Sequence, residues 1–428
     1  MVGDDNMTHQ HHDRSARKAG YALLALMALA SSCAGAESLE PDPTGTAGGA
    51  GPTTGGSGGG WAGGSGQGGS VGGAGNSGAS GTGGAGTSGG SAGTEGGRGG
   101  AGGAPGGRGG QAGSSGASDS GVRSDSSADA RDTSADVTRP DVGSDGVVRF
   151  VAMGDTGKGT PQQTSVAQAV KRKCDADGCD FVILLGDNIY DSGVIGVDDP
   201  QWQQKFEIPY QGIELPFYAV LGNHDYGSLG LGLEFVKGPF EVAYTNKSKK
   251  WKMPGTHYTF QAGPAGFVAL DTNSILWANT DHGAQSTWYA GAVAQLTTTW
   301  KIAIGHHPYL SNGTHGNAGT YTDLTGILFP QQLGVDVKNF VETHVCGTVD
   351  VYLSGHDHSR QWLHPKCGME LLVSGTGAEG TALASRNPSY WESASLGFLY
   401  VVIRGKELRG QFVNATGAVD FERVITKP

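Results

Sequence analysis

From residue 147 onward the chain repeatedly gathers its apolar residues into short runs that stop at a glycine. The first, residues 147–153 (VVRFVAM), is rich in β-branched side chains and reads as a buried strand. It stops at Gly154-Asp155-Thr156-Gly157, and the spacing then predicts a helix. Thr160 is its N-cap, Pro161 its first residue and Gln163 the far half of a capping box, with Val166, Ala169 and Val170 on one face. Residues 181–185 form a second strand, ending in Gly186-Asp187-Asn188-Ile189-Tyr190, and residues 216–221 a third, ending in Gly222-Asn223-His224-Asp225. Residues 300–304 stop at Gly305-His306-His307-Pro308, and residues 349–353 at Ser354-Gly355-His356-Asp357-His358. Two antiparallel hairpins are expected over 258–271 and 396–413.

Strand, helix, strand predicts a layered α/β sheet with crossover helices. In such sheets the ligand site lies at the carboxyl ends of the strands, so the five Gly-(Asp/Asn/His) turns should converge. A glycine at each turn lets the backbone bend sharply and approach whatever is bound.

Upstream the pattern disappears. Of the 77 glycines, 32 fall between residues 51 and 110, where only Glu95, Arg98 and Arg108 are charged. Such a segment has too little apolar surface to offset the entropy of ordering and should be disordered. The glycines come in irregular doublets and triplets, which excludes collagen. Residues 118–146 turn Ser/Asp-rich, and residues 34–145 together read as a solvated tether; an adhesive role is the alternative. Before them, Arg14, Arg17 and Lys18 precede an uncharged run that ends in Ser31-Ser32-Cys33, the layout of an export signal. The run is too short to cross a bilayer permanently. Cys33 after small residues is similar to a lipobox, although Leu29 lies one position further upstream than usual; ordinary cleavage near residues 34–36 is the other reading. The expectation is an exported protein, lipid-anchored at Cys33 in the cell envelope or freely secreted, whose only membrane contact would be that lipid. A chain beginning near Asp145 is then expected to fold and turn over like the whole.

The net charge of −11 is spread over both parts. Residues 1–146 hold 8 Lys/Arg against 14 Asp/Glu, and the remainder 21 against 26, so no basic footprint for nucleic acid exists. Cys174, Cys179, Cys346 and Cys367 make an even number in an exported context, which favours disulfides. Three pairings are possible; the shortest loops give 174–179 with 346–367. None of the spacings suits a zinc ribbon.

The strand ends collect Asp155, Asp187, Tyr190, Asn223, His306, His356 and His358, with His224 and His315 nearby. This mixed O/N set without thiolate is too rich in oxygen for structural zinc and too rich in histidine for calcium. Seven donors exceed one transition metal with an open position but suit two ions sharing a carboxylate. Two such ions clamp the attacking and leaving oxygens of a phosphoryl group. Each motif alone is an ordinary turn; the information lies in their joint occurrence, in order, each at a strand end.

The series Gly-Asp-Thr-Gly, Gly-Asp-Asn-Ile-Tyr, Gly-Asn-His-Asp, Gly-His-His and Gly-His-Asp-His resembles the purple acid phosphatases of the binuclear metallophosphoesterases, over roughly residues 147–413. It is most similar to the small, single-domain, tartrate-resistant type, because no large β domain precedes the first motif. The resemblance implies an α/β fold: a layered sandwich of two mixed β-sheets flanked by helices, here preceded by a disordered N-terminal tether. The organisation expected is a signal peptide over 1–33, a linker over 34–145 and a catalytic domain over 146–428. Asp155-Thr156-Gly157 lacks the histidine of the general superfamily's Asp-x-His, while Tyr190 occupies the purple enzymes' tyrosine-ligand position. A phenolate is a hard anionic donor that suits a trivalent ion.

Carried over, the family pattern puts Asp155, Asp187, Tyr190 and His358 on Fe3+, and Asn223, His306 and His356 on Fe2+, Zn2+ or Mn2+, with Asp187 bridging. His224 matches the phosphate-contacting histidine, His315 the candidate acid, and His307 is structural. A small phosphorylated substrate and a monomer are expected. The function implied is metal-dependent hydrolysis of phosphomonoesters by a binuclear centre of the acid phosphatase type. A phosphodiesterase or nucleotide hydrolase on the same fold is the first alternative, a surface-displayed protein without turnover the second.

Overall fold

The computed structural model describes residues 145–322 and 334–428; the export signal, Cys33 and the tether as far as residue 144 lie outside them. Two seven-stranded sheets carry the architecture. In the first, β1 (Val147–Met153), β2 (Phe181–Leu184), β3 (Phe217–Ala219) and β4 (Trp251–Lys252) run parallel. β12 (Gly397–Arg404) pairs antiparallel with β1 and continues into β13 (Glu407–Asn414) and β14 (Val419–Thr426), in the order β14-β13-β12-β1-β2-β3-β4. The second sheet holds β5 (Tyr258–Ala262), β6 (Ala265–Ala269), β7 (Trp300–Ile304), β8 (Val351–Ser354), β9 (Arg360–Lys366), β10 (Met369–Ser374) and β11 (Ser389–Ser393). Its order is β11-β9-β10-β8-β7-β6-β5, with β6, β7, β8 and β10 parallel.

The sheets face each other, and the strand periodicity shows how. On β7, Ile302 and Ile304 point into the shared core while Ala303 points the other way; on β8, Val351 and Leu353 point in and Tyr352 out. Aromatic rings lock the layer between the sheets: Phe150 and Phe267 meet edge to face at 5.4 Å, and Phe181 and Phe260 at 5.7 Å. Helix α1 (Pro161–Asp177) buries Val166, Ala167, Ala169 and Val170. Helices α3 (Thr272–Leu276), α4 (Thr280–Gln295) and α5 (Val335–Phe340) cover the outer face of the second sheet; α2 (Gly238–Tyr244) lies in the connection between β3 and β4. Both faces of the central strands are buried, which is why they read as continuous apolar runs.

The expected elements are present with small boundary shifts. Thr160 caps α1, its side chain accepting from the Gln163 amide N–H. The return half of the capping box differs from expectation: Gln163 Oε1 accepts from Gly159 N–H, one residue upstream of the cap, at 2.7 Å. Its amide nitrogen donates to Lys205 O at 2.6 Å, a tertiary bond that fixes the orientation of the amide. Strands β4, β9, β10, β11 and β14 have no counterpart in the sequence reading. β9 opens on Arg360 and Gln361, buried polar residues that break any apolar run. Cys174 pairs with Cys179 and Cys346 with Cys367, the short-loop pairing. Among the described residues no helix is long and apolar enough to cross a membrane.

Candidate metal centre

The carboxyl ends of β1, β2, β3, β7 and β8 meet, and their turns are built around close approach. A Cβ on Gly186 would lie 2.5 Å from His306 Nδ1, one on Gly222 2.3 Å from Asp187 Oδ1, and one on Gly355 2.7 Å from Asp155 Oδ2. The glycines therefore make room for the donors of neighbouring strands. Asp155, Asp187 and His356 themselves adopt left-handed backbone, with φ of 60°, 52° and 66°. Non-glycine residues held there concentrate at functional sites.

All seven donors expected from the sequence are brought together, in two groups that share Asp187. In one, the Tyr190 hydroxyl lies 3.1 Å from Asp155 Oδ1, 2.9 Å from Asp187 Oδ2 and 3.1 Å from His358 Nε2. In the other, Asn223 Oδ1 lies 2.9 Å from His306 Nε2 and 3.1 Å from His356 Nδ1, and His306 Nε2 is 3.4 Å from Asp187 Oδ2. Donor atoms of Asp155, Asp187 and His306 all fall within 4.8 Å of one another.

Neighbouring groups aim the lone pairs inward. His306 Nδ1 sits 2.8 Å from the Leu185 carbonyl, so it carries a proton and turns Nε2 towards the site, where a bound cation would replace any proton on it. Asn223 donates its amide to Gly230 O at 2.8 Å, which turns Oδ1 to the same point. His306 Nε2 and His356 Nδ1 then face each other at 3.2 Å. Two ring nitrogens and an amide oxygen pointing at one another make a poor hydrogen-bonding arrangement and a good cation cradle.

The electrostatics agree. Burial lowers the His306 basicity, but the Asp187 and Asp155 carboxylates outweigh it and lift the imidazole to about 9. Burial alone would raise Asp187, yet the His306 and His224 rings hold it below the usual carboxylate range. A proton on His306 thus stands where a metal cation would. Burial, then the Asp155 and Asp187 charges, push the Tyr190 phenol well above its ordinary value. Only a strong positive charge would release that proton. The residues present fit two cations.

His224 borders the same space. Its Nδ1 lies 2.7 Å from Asp191 O, and its ring packs on Tyr190 at 4.3 Å between centroids. His315 lies over His356, ring centroids 4.2 Å apart. His307 is buried and lies outside both donor groups: its Nδ1 pairs with Thr272 Oγ1 at 2.9 Å.

Several supporting residues escaped the sequence reading. Thr272 Oγ1 also accepts from the His306 and His307 amides. Asp225, fourth in Gly-Asn-His-Asp, accepts from the Asn188, Ile189 and Gly222 amides and so ties the β2 and β3 turns together. Asp357 holds the His315 loop. Thr272 lies outside the five motifs; Asp225 and Asp357 stand inside them, but nothing in a turn sequence tells which way an acid points.

A two-layered sheet sandwich with oxygen and nitrogen donors gathered at its strand ends defines a metal-dependent phosphoesterase. The profile of the calcineurin-like phosphoesterases matches residues 148–360, and the chain carries a calcineurin-like metallophosphoesterase domain. It is 27% identical to the tartrate-resistant acid phosphatase type 5 of Rattus norvegicus over 321 residues, 65% of this chain and 90% of that one. It is 29% identical to purple acid phosphatase 7 of Arabidopsis thaliana over 259 residues, 55% of this chain and 72% of that one. The structure of purple acid phosphatase PPD1 from yellow lupin superposes with a TM-score of 0.51 at 17% identity, over 67% of this chain and 55% of that one, a likeness of fold. The protein is a hydrolase of phosphoric esters working through a dimetal site.

Proposed function

We propose that this phosphoesterase is an acid phosphatase of the purple type, acting on phosphomonoesters of small molecules. Asp155, Asp187, Tyr190 and His358 would hold a ferric ion, and Asn223, His306 and His356 a ferrous, zinc or manganese ion, with Asp187 on both. The observation that carries this reading is the Tyr190 hydroxyl, in contact with two carboxylates and an imidazole at once. Bound there, the cations supply neutralisation of phosphoryl charge and activation of water. His224 faces the equatorial oxygens, its orientation set by the Asp191 carbonyl. His315 delivers a proton to the departing oxygen. The two disulfides accord with an exported protein, anchored at Cys33 or secreted, and a monomer suffices for every role named.

Comparing turnover of p-nitrophenyl phosphate with that of its bis ester tests the monoester preference; a faster diester reaction rejects it. The iron-loaded protein is expected to be purple or pink, and Tyr190→Phe to bleach the band while retaining hydrolysis. A colourless protein, fully active with two zinc or manganese ions and indifferent to iron, leaves a phosphoesterase but not a purple one. His315→Ala should keep both metals and lose about 10²–10⁴-fold in rate on esters with poor leaving groups. An equal loss on good leaving groups counts against the acid role.

A further inference from the structure

We propose that Asp357 is the positioning residue for the acid: the carboxylate lying between the two histidines of Gly355-His356-Asp357-His358 fixes the loop that carries His315. The inference rests on the reading of His315 as proton donor.

Asp357 is fully buried and sits in sequence between two donors of the metal centre, yet its side chain serves neither of them. Oδ1 accepts the His315 backbone N–H at 2.7 Å, and Oδ2 accepts the Gly316 N–H at 3.2 Å. The contact is close on the loop side as well, since a Cβ on Gly313 would fall 2.3 Å from the Asp357 carboxyl carbon. Two neighbouring amides pointing at one carboxylate hold the peptide plane before His315 in a single orientation. Hydrogen bonds to a buried charge are among the stronger ones a protein makes. Other elements tie the rest of the loop: Asn312 N–H donates to Gln361 Oε1 at 2.8 Å, Asn387 Nδ2 to Ser311 O at 3.0 Å, and the Arg386 guanidinium to Gly313 O. At His315 itself Asp357 holds the backbone N–H, while the carbonyl accepts from the Thr322 N–H at 3.0 Å. One tetrapeptide thus sets both the donors His356 and His358 and the location of the acid relative to them. A displacement of about 1 Å at such a group can cost on the order of 10²-fold in rate.

The test is a double-mutant cycle on the full-length protein. Asp357→Asn is isosteric but turns an amide against one of the two backbone N–H groups, and Asp357→Ser removes the carboxylate without adding bulk. In either variant the metal content should stay at the wild-type value. Turnover of phenyl phosphate should fall about 10²-fold, while that of 2,4-dinitrophenyl phosphate changes little. In a His315→Ala background the same substitutions should add no further loss, because the group they position is gone. A loss equal across leaving groups, an undiminished loss in the His315→Ala background, or a fall in metal content would overturn the positioning role. Should His315→Ala itself show no dependence on leaving group, the acid reading fails, and the proposal falls with it. A leaving-group-dependent His315→Ala beside leaving-group-independent Asp357 variants overturns the Asp357 inference alone.

Discussion

Asp187→Asn is expected to empty the centre while leaving the fold in place. Asp187 Oδ2 faces both Tyr190 and His306, and Oδ1 accepts the His224 amide at 2.9 Å. An asparagine keeps that last bond but has one oxygen where two donor groups need a shared carboxylate. Activity should fall by more than the roughly 10²–10³-fold typical of losing a single electrostatic stabiliser. The stripped variant should also melt lower than the stripped wild type. Although burial opposes it, the His306 and His224 rings hold the Asp187 carboxyl below its usual range, so its charge stabilises the metal-free fold at neutral pH. The relief of Asp225, which burial and the Asp187 charge raise to about 7, offsets only part of that loss. For the wild type, chelation should lower Tm, since a ligand present at a hundred times its Kd stabilises the fold by about 2.7 kcal/mol. Elemental analysis and melting curves with and without EDTA check both halves. A variant that keeps two metals and a tenth of the activity would sink the shared-carboxylate assignment.

Gly157→Ala is expected to disable the centre without removing a donor. A Cβ there would lie 1.7 Å from the Asn188 carbonyl oxygen and 2.2 Å from its carbon, both backbone atoms that cannot rotate away. The glycine joins the two donor-bearing turns: its N–H points at Asp187 O at 3.3 Å, and its carbonyl accepts from Tyr190 N–H at 2.9 Å. A methyl group must push the turns apart and carry Asp155 away from Asp187 and Tyr190. We expect roughly 1–3 kcal/mol of destabilisation, the usual range for overpacking, together with loss of the visible band proposed for the iron-loaded protein. Denaturant titration and the visible spectrum report the two effects separately. Wild-type stability and colour in this variant would mean that the turns tolerate separation.

The centre was legible because its chemistry is concentrated at strand ends. An apolar run that stops at glycine followed by Asp, Asn or His leaves few places for the polar side chain other than the strand's carboxyl edge. Five such edges in parallel neighbours share one neighbourhood. Residues 147–153 and 300–304 match β1 and β7 end to end for the same reason: both faces are covered, so an unbroken apolar run marks the whole strand. Strand β9 was hidden because Arg360, buried with its guanidinium 2.7 Å from Asp420, does not look like core.

By itself the sequence determined the donor types, their order along the chain and the strand ends that carry them. These depend on side-chain chemistry and on neighbours within a few residues. Only the tertiary structure decided which cysteines pair, which nitrogen of His306 faces inward, and that Asp225 and Asp357 hold turns in place. Those outcomes depend on contacts between residues far apart in sequence, such as His306 with Leu185 and His315 with Asp357. A buried acid takes its partner from whichever backbone amide the packed sheets bring within about 3 Å, and that proximity exists only once the two sheets have closed on each other.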